Sequence, residues 1–106
     1  MKTAITVLGF AIVSFVGATV AFFQGDTLDH GKEVYAMQKC ALCHSISGAG
    51  GKLLALDGVG SRLRAEEMRK WIRTPKAMKP DTTMKAYPNL PEKDLADLTA
   101  YLLTLK

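Results

Sequence analysis

The segment Cys40-Ala41-Leu42-Cys43-His44 constrains this chain more than any other feature, because it joins both of its cysteines to one of its two histidines. C-x-x-C-H is the attachment signature of c-type haem. Two thiols at this spacing can reach the two vinyl groups on one edge of a haem and form thioethers, while the adjacent imidazole binds the iron as an axial ligand. The sequence therefore predicts one covalently bound haem, held by Cys40 and Cys43, with His44 on the iron.

A C-x-x-C pair has two other common uses, in zinc sites and in thioredoxin-like redox pairs. A zinc site would need a second pair of ligands, but the chain has no further cysteine and only His30 as another histidine. A thioredoxin-like redox pair is expected within a strand-helix-strand pattern, which the sequence does not show. Haem attachment is the favoured interpretation, and a simple disulfide or dithiol is the alternative.

Length and charge limit the remaining possibilities. A chain of 106 residues has room for one domain, whose hydrophobic core would be small without the apolar bulk of a haem. The formal net charge of +4 favours acidic partners, which include nucleic acid, acidic lipid and acidic proteins. No run of basic residues and no alternation of aromatic and basic residues supports nucleic acid. We therefore expect no nucleic-acid binding, and redox proteins with an acidic docking surface as partners.

The N-terminal part of the chain is apolar. Residues 4–23 form a run of 20 uncharged residues, with Lys2 before it and Asp26 after it. This pattern predicts a membrane-targeting segment, either a signal peptide cleaved after a small residue such as Ala21 or an uncleaved anchor. The cleavage site is weak and the run is longer than a usual signal core, so the sequence narrowly favours the anchor.

This run divides the chain into a leader, residues 1–25, and a haem domain, residues 26–106. Lys2 would stay on the cytoplasmic side, as the positive-inside rule requires. The haem domain is therefore expected on the periplasmic side of the cytoplasmic membrane, either anchored through residues 4–23 or soluble after cleavage.

Helical patterns dominate the rest of the sequence. We predict helices at about residues 28–39 and 65–73 and a third that begins near Pro91. The last is the clearest, because its leucines recur at helical spacing: Leu95, Leu98, Leu102 and Leu105. Residues 47–60 contain five glycines and are predicted to form a loop. No alternation long enough for a sheet is present, so the expected fold class is all-α.

Taken together, these features make the chain resemble the small class I cytochromes c. The shared order is an N-terminal helix ending in C-x-x-C-H, a glycine-rich loop, a central helix, a methionine-bearing loop and a C-terminal helix. The resemblance covers residues 26–106 and is most specific in three stretches: 31–44, 56–62 and 84–105. It implies a cytochrome c-like domain of three or more helices around one covalently bound haem c, preceded here by an N-terminal hydrophobic helix.

The resemblance also suggests several contacts. In this family the first and last helices cross, which would place Gly31 and Tyr35 against Leu98 and Tyr101. Glycine allows the close approach because it has no side chain. The resemblance also implies two further cofactor-binding residues, Arg62 and Trp71. Their N–H groups would approach the haem propionates. The alternative for Arg62 is a solvated salt bridge, and the alternative for Trp71 is simple core packing.

One departure concerns the proximal histidine. Relatives commonly carry a proline before the Leu56-Asp57-Gly58-Val59-Gly60 stretch, and its carbonyl accepts a hydrogen bond from that histidine. Here the corresponding residues are Leu53-Leu54-Ala55, with no proline. Any backbone carbonyl can accept this bond, so the hydrogen bond is still expected, but the sequence does not assign its acceptor.

The second axial ligand is a choice among five methionines. Met68 has the spacing of a core residue in a helix, and two others are poorly placed, in the leader and beside the cysteines: Met1 and Met37. Met78 and Met84 remain, both in a proline-rich loop. The family resemblance places its methionine ligand at Met84, with Met78 as the alternative and bis-histidine ligation through His30 as a weaker one. Histidine with methionine is an electron-transfer pairing.

The expected function is single-electron transfer between respiratory redox partners, without an enzymatic reaction of its own. The methionine loop carries several lysines and one acid, and so predicts a positive docking rim: Lys76, Lys79, Lys85 and Asp81. A role in solubility alone is the alternative for these lysines. Two other functions stay open: a haem subunit of a larger membrane oxidoreductase, and a peroxidase-like or gas-reactive protein if no methionine binds the iron.

Overall fold

The computed structural model describes residues 3, 4, 9, 11, 12 and 20–106, without the side chains of residues 20–24. Most of the apolar run 4–23, and with it the expected N-terminal hydrophobic helix, lies outside these residues. None of the helices in the described part of the chain is long and apolar enough to span a membrane.

Five α-helices occur within residues 20–106. They are α1 (Val20–Met37), α2 (Val59–Arg62), α3 (Ala65–Arg73), α4 (Pro75–Met78) and α5 (Glu92–Leu103). A 3₁₀ turn, Cys40–Leu42, follows α1. The predicted bounds of α3 are confirmed, and α5 begins directly after Pro91, as expected. The first helix begins earlier than residue 28 and ends at Met37, two residues before its predicted end, and the short helices α2 and α4 were not predicted.

Three short strands correct the expectation of a purely helical domain. They are β1 (His44–Ile46), β2 (Ala49–Gly50) and β3 (Leu54–Ala55), in the order β2-β1-β3. The β1 strand is antiparallel to β2 and parallel to β3, where His44 pairs with Leu54. Strands of two or three residues are too short to show an alternating pattern, so they could not be predicted from the sequence.

The backbones of α1 and α5 approach each other closely where the two helices cross. A Cβ atom on Gly31 would overlap the Asp97 carbonyl oxygen and the Tyr101 side chain, so only glycine fits here without displacement. Beside it, the rings of Tyr35 and Tyr101 meet edge to face, with centroids 6.1 Å apart. The predicted contact of Gly31 and Tyr35 with the last helix is thereby confirmed.

The hydrophobic core lies between α5, α1 and α3. Its buried members come from every major element: Val34, Leu56, Val59, Met68, Ile72, Leu90, Leu95, Leu98 and Leu102. Met68 is only 2% exposed, which confirms its prediction as a core residue. Because α5 supplies three of these leucines, burial of its apolar face helps to hold α1, α3 and α5 together.

Candidate haem site

The backbone after α1 brings the two cysteines to the ends of one turn. Lys39 adopts a left-handed conformation, with φ of 58°, which ends the helix and turns the chain into the 3₁₀ turn. The Cys43 N–H then donates to the Cys40 carbonyl, 3.2 Å away. The two cysteines form no disulfide with each other, and Cys40 is half-buried while Cys43 is exposed. Burial raises the pKa of the Cys40 thiol, which favours its protonated form.

His44 is oriented by a backbone acceptor. Its Nδ1 atom lies 3.1 Å from the Leu54 carbonyl oxygen. Since a carbonyl can only accept, Nδ1 carries the proton and Nε2 keeps a lone pair that can bind a metal. The acceptor that the sequence left unassigned is therefore Leu54, which occupies the proline-free stretch and pairs with His44 through the parallel β1–β3 contact.

Two glycines allow the following loop to fold back onto the motif. The Gly51 N–H donates to the carbonyls of Ala41, at 2.7 Å, and His44, at 3.1 Å. A Cβ on Gly51 would overlap the Leu42 carbonyl, and one on Gly50 would overlap that of His44. Gly50 also has φ of 116°, a conformation that residues with side chains rarely adopt. The glycine-rich composition is thus required for the turn that holds His44.

Hydrogen bonds of Asp57 and Arg62 also stabilise this loop. The Asp57 carboxylate accepts from the Ser47 N–H at 2.7 Å, and Arg62 Nη1 donates to the Asp57 carbonyl at 2.9 Å. Arg62 is exposed at the end of α2. Its hydrogen bond to Asp57 fixes the guanidinium near this loop, while its contact with a haem propionate stays a prediction.

Trp71 lies on α3 and is half-buried, between its buried neighbours on the same helix, Met68 and Ile72. Among the described residues, no hydrogen bond or ion pair joins Trp71 or Arg62 to the C-x-x-C-H segment. The role of Trp71 as a propionate donor therefore also stays a prediction.

Met84 lies in the extended segment between α4 and α5. It is half-buried, and its backbone N–H donates to Thr82 Oγ1 at 3.2 Å. Met78, the alternative, is also half-buried and forms the last residue of α4. The two methionines therefore differ in setting, one in a loop and one in a helix, and the ligand role of Met84 stays a prediction.

Tyr87 connects the Met84 segment to the cysteine motif. Its hydroxyl donates to the Gln38 carbonyl at 3.0 Å, across 49 residues of sequence. Burial, followed by the proximity of Cys40 and Cys43, raises the pKa of Tyr87. The segment that carries Met84 is therefore fastened beside the residues predicted to hold the haem. Sequence reasoning missed Tyr87, and an aromatic residue three positions after the methionine was the only signal.

The family model for cytochrome c matches residues 28–106. This chain belongs to the cytochrome c family. Membership confirms the predicted resemblance to class I c-type cytochromes and implies a haem c with its iron, used for electron transfer.

A relative of this cytochrome c domain is part of a larger protein. Cytochrome c oxidase subunit 2 from Alkalihalophilus pseudofirmus is 32% identical to it over 87 residues. The match covers 74% of the present chain but only 25% of that protein. The chain thus spans about a quarter of the length of this curated relative.

The residues of the cytochrome c domain fit a covalently attached haem. Cys40 and Cys43 present two free thiols on one turn, and His44 presents an Nε2 lone pair beside them. Leu42 lies within this turn and the Leu53 N–H donates to the Cys43 carbonyl, so two large apolar residues lie beside the attachment cysteines. When bound, the haem supplies one-electron chemistry at its iron.

His30 of the cytochrome c domain joins α1 to α5. Its Nδ1 lies 2.7 Å from Asp97 Oδ2, and its Nε2 lies 3.4 Å from Asp94 Oδ1. Because both ring nitrogens face carboxylates, the alternative of His30 as an iron ligand is disfavoured. Nothing in the sequence signals this cluster, since His30 and Asp97 are 67 residues apart.

Proposed function

We propose that this chain is a monohaem electron carrier in which haem c is attached through Cys40 and Cys43 and bound axially by His44 and Met84. The observation that carries the proposal is the hydrogen bond from His44 Nδ1 to the Leu54 carbonyl. It sets the tautomer and the orientation of the imidazole, and such a partner makes the ring a better ligand. A histidine held in one position changes little between the two oxidation states, which suits electron transfer.

The experiment that tests this function compares Met84→Ala with Met78→Ala in the haem-loaded protein. A ferric haem with a thioether ligand has a weak long-wavelength charge-transfer band, and a firmly bound sulfur excludes carbon monoxide from the ferrous iron. We expect Met84→Ala to lose the band and to bind carbon monoxide avidly. Met78→Ala should retain the band, because Met78 is the last residue of α4 and is not the proposed iron ligand. An unchanged ferric spectrum in Met84→Ala would refute the ligand assignment.

Carbon monoxide binding also tests the alternative function, a peroxidase-like or gas-reactive protein. That function requires an open coordination position on the iron. If the unmutated protein binds carbon monoxide as avidly as Met84→Ala does, the gas-reactive alternative is supported and electron transfer is not. Little binding to the unmutated protein supports the carrier.

We further propose that redox proteins with an acidic surface dock beside the C-x-x-C-H turn. Leu42 and Leu53 provide exposed apolar contact area there. Lys79 and Lys85 are exposed in the neighbouring methionine segment, and Lys85 lies over the Tyr87 ring, with Nζ 5.3 Å from its centroid. Apolar contact with a charged margin suits short-lived complexes that are steered by charge. No nucleic acid is proposed as a partner.

A haem subunit within a larger membrane oxidoreductase is the second candidate function. It is favoured by one observation, the similarity to part of a cytochrome c oxidase subunit 2. The chemistry would be unchanged and only the partners would differ. Purification from native membranes in mild detergent tests this, because a subunit should co-purify in fixed ratio with the other chains of its complex.

The location proposed for the haem domain is the periplasmic side of the cytoplasmic membrane. The support is the uncharged run 4–23, with its N-terminal Lys2, in a chain that otherwise continues as a cytochrome c domain. We propose residues 1–25 as the anchor and residues 26–106 as the haem domain. Intact mass of the native protein tests this, since a chain beginning at Phe22 would refute the anchor.

A further inference from the structure

The segment that carries Met84 contains little regular structure between α4 and α5. A thioether is neutral, so charge attraction to the iron does not hold it. Its retention depends on how firmly the protein fixes the segment. Tyr87, three residues after Met84, forms hydrogen bonds with α3 and with the end of α1.

Three groups of Tyr87 are bonded to two separate parts of the fold. Its backbone N–H donates to the Ile72 carbonyl of α3 at 2.9 Å, and its carbonyl accepts from Arg73 Nη1 at 3.4 Å. Its hydroxyl donates to the Gln38 carbonyl at the end of α1. Tyr87 therefore ties the Met84 segment to the helix before the cysteines and to the helix that precedes α4.

We propose that Tyr87 is a positioning residue whose hydroxyl keeps Met84 on the iron by joining the methionine segment to the end of α1. This inference rests on the proposed function, since it needs Met84 as the ligand. In this proposal Tyr87 controls how firmly Met84 is held.

The hydroxyl has a specific backbone partner. Carbonyls in the last turn of a helix lack helical partners and need another donor. The Gln38 carbonyl is such a group, since Gln38 follows the last residue of α1, and it lies two residues before Cys40. The Tyr87 hydroxyl is its donor, so a single hydrogen bond links the haem-attachment turn to the segment that carries Met84.

Arg73 reinforces the same segment from α3. Its Nη1 donates to the Pro88 carbonyl at 2.9 Å, and its Nη2 lies 3.2 Å from Glu92 Oε2. Arg73 and Glu92 thereby hold the segment where it enters α5. The backbone contacts to α3 remain when the Tyr87 hydroxyl is removed, so that change isolates the link to α1.

The test uses Tyr87→Phe with Tyr101→Phe as the matched control. Both changes remove one phenolic hydroxyl and keep the ring, but Tyr101 lies at the crossing of α1 and α5. We expect Tyr87→Phe to fold, to keep the thioether charge-transfer band in mild conditions, and to bind carbon monoxide roughly two- to tenfold more tightly, since one hydrogen bond is lost. The band should also disappear at a lower urea concentration, ahead of the loss of helical circular dichroism. Tyr101→Phe should change neither property.

Equal behaviour of the two tyrosine variants in carbon monoxide affinity and band loss would overturn the proposal. Arg73→Gln is a second variant that loosens the same segment from α3, and it should also raise carbon monoxide affinity. Met84→Ala separates the two levels of inference. If it keeps the band, the ligand assignment itself fails; if it loses the band while Tyr87→Phe matches Tyr101→Phe, only the role of Tyr87 fails.

Discussion

His30 and Asp97 meet across the crossing of α1 and α5, with His30 Nδ1 2.7 Å from Asp97 Oδ2. The Asp97 carboxylate is largely buried and also receives Lys93 Nζ at 2.7 Å. The contact lies one residue from Gly31, where a side chain would overlap the backbone of α5. Polar pairing and close backbone packing therefore stabilise the same point of the fold, although neither group belongs to the haem site.

Acid should weaken this crossing through Asp97. The hydrogen bond from Lys93, and then that from His30, hold the pKa of Asp97 below its ordinary value, against the opposing effect of desolvation. A carboxyl with a lowered pKa in the folded state adds stability above its unfolded pKa, and this is lost as the pH falls through the folded value. We expect urea unfolding to show the unmutated protein more stable than Asp97→Asn at neutral pH, with a difference that shrinks below about pH 4.

Lys93 and Asp94 also contribute charge to this cluster. The acid dependence therefore needs a control variant that removes a carboxylate elsewhere in the domain. Asp57→Asn offers it, because Asp57 is exposed and bonds to loop groups and not to this crossing. Asp57→Asn removes one carboxylate without changing the crossing, and therefore serves as the control. A constant stability difference between Asp97→Asn and the unmutated protein from neutral to acid pH would contradict the assignment.

Gly31→Ala should destabilise the domain strongly. The added methyl would overlap the backbone of Asp97, which cannot move without separating the helices. Overpacking of this kind costs about 1–3 kcal/mol, and more where backbone must shift. Thermal unfolding followed by circular dichroism should show the melting temperature fall by several degrees. Gly25→Ala is the control, since a Cβ there meets nothing within 4 Å and alanine favours helix; equal destabilisation by both would show that the crossing is not the cause.

The elements that could be predicted from sequence are those whose signal is local. The α3 helix begins and ends with polar residues that are typical of helix termini. At its start, the Arg64 N–H donates to Glu67 Oε1 at 3.2 Å. The α5 helix has leucines at helical spacing. By contrast, the four-residue helices α2 and α4 have too few residues for periodicity, and the β1–β3 pairing consists of backbone hydrogen bonds that many sequences could make.

The candidate site divides in the same way. Cys40, Cys43 and His44 are contiguous, so their spacing alone predicts the chemistry. The acceptor for His44 is a backbone carbonyl, which every residue has, and its assignment to Leu54 required the fold. The contact of Tyr87 with Gln38 depends on bringing together two residues that are 49 positions apart.

Leu54→Pro should leave the histidine environment almost unchanged. The group that His44 uses is the Leu54 carbonyl, which proline keeps, and the Leu54 N–H that proline would remove makes only a 3.4 Å contact with the Cys43 carbonyl. We expect a loss of stability below about 1 kcal/mol and an unchanged ferrous spectrum. Leu56→Pro is a useful contrast, because the Leu56 N–H makes a 2.8 Å bond to the Ser45 carbonyl, and it should be clearly less stable. A shifted haem spectrum in Leu54→Pro would indicate that the leucine side chain, and not the carbonyl, orients His44.

Reversal of one charge in the methionine segment should slow electron transfer to an acidic partner. Lys79 is exposed just after α4, whereas Lys106 is exposed at the C-terminal end of the sequence. Lys79→Glu and Lys106→Glu change the net charge equally, so a difference between them reports on location. We expect Lys79→Glu to lower the second-order rate constant roughly threefold or more at low ionic strength, and salt to remove the difference, because it screens exposed charges. Stopped-flow kinetics with the native partner measures this, and equal rates for the two variants would show that these lysines serve solubility and not docking.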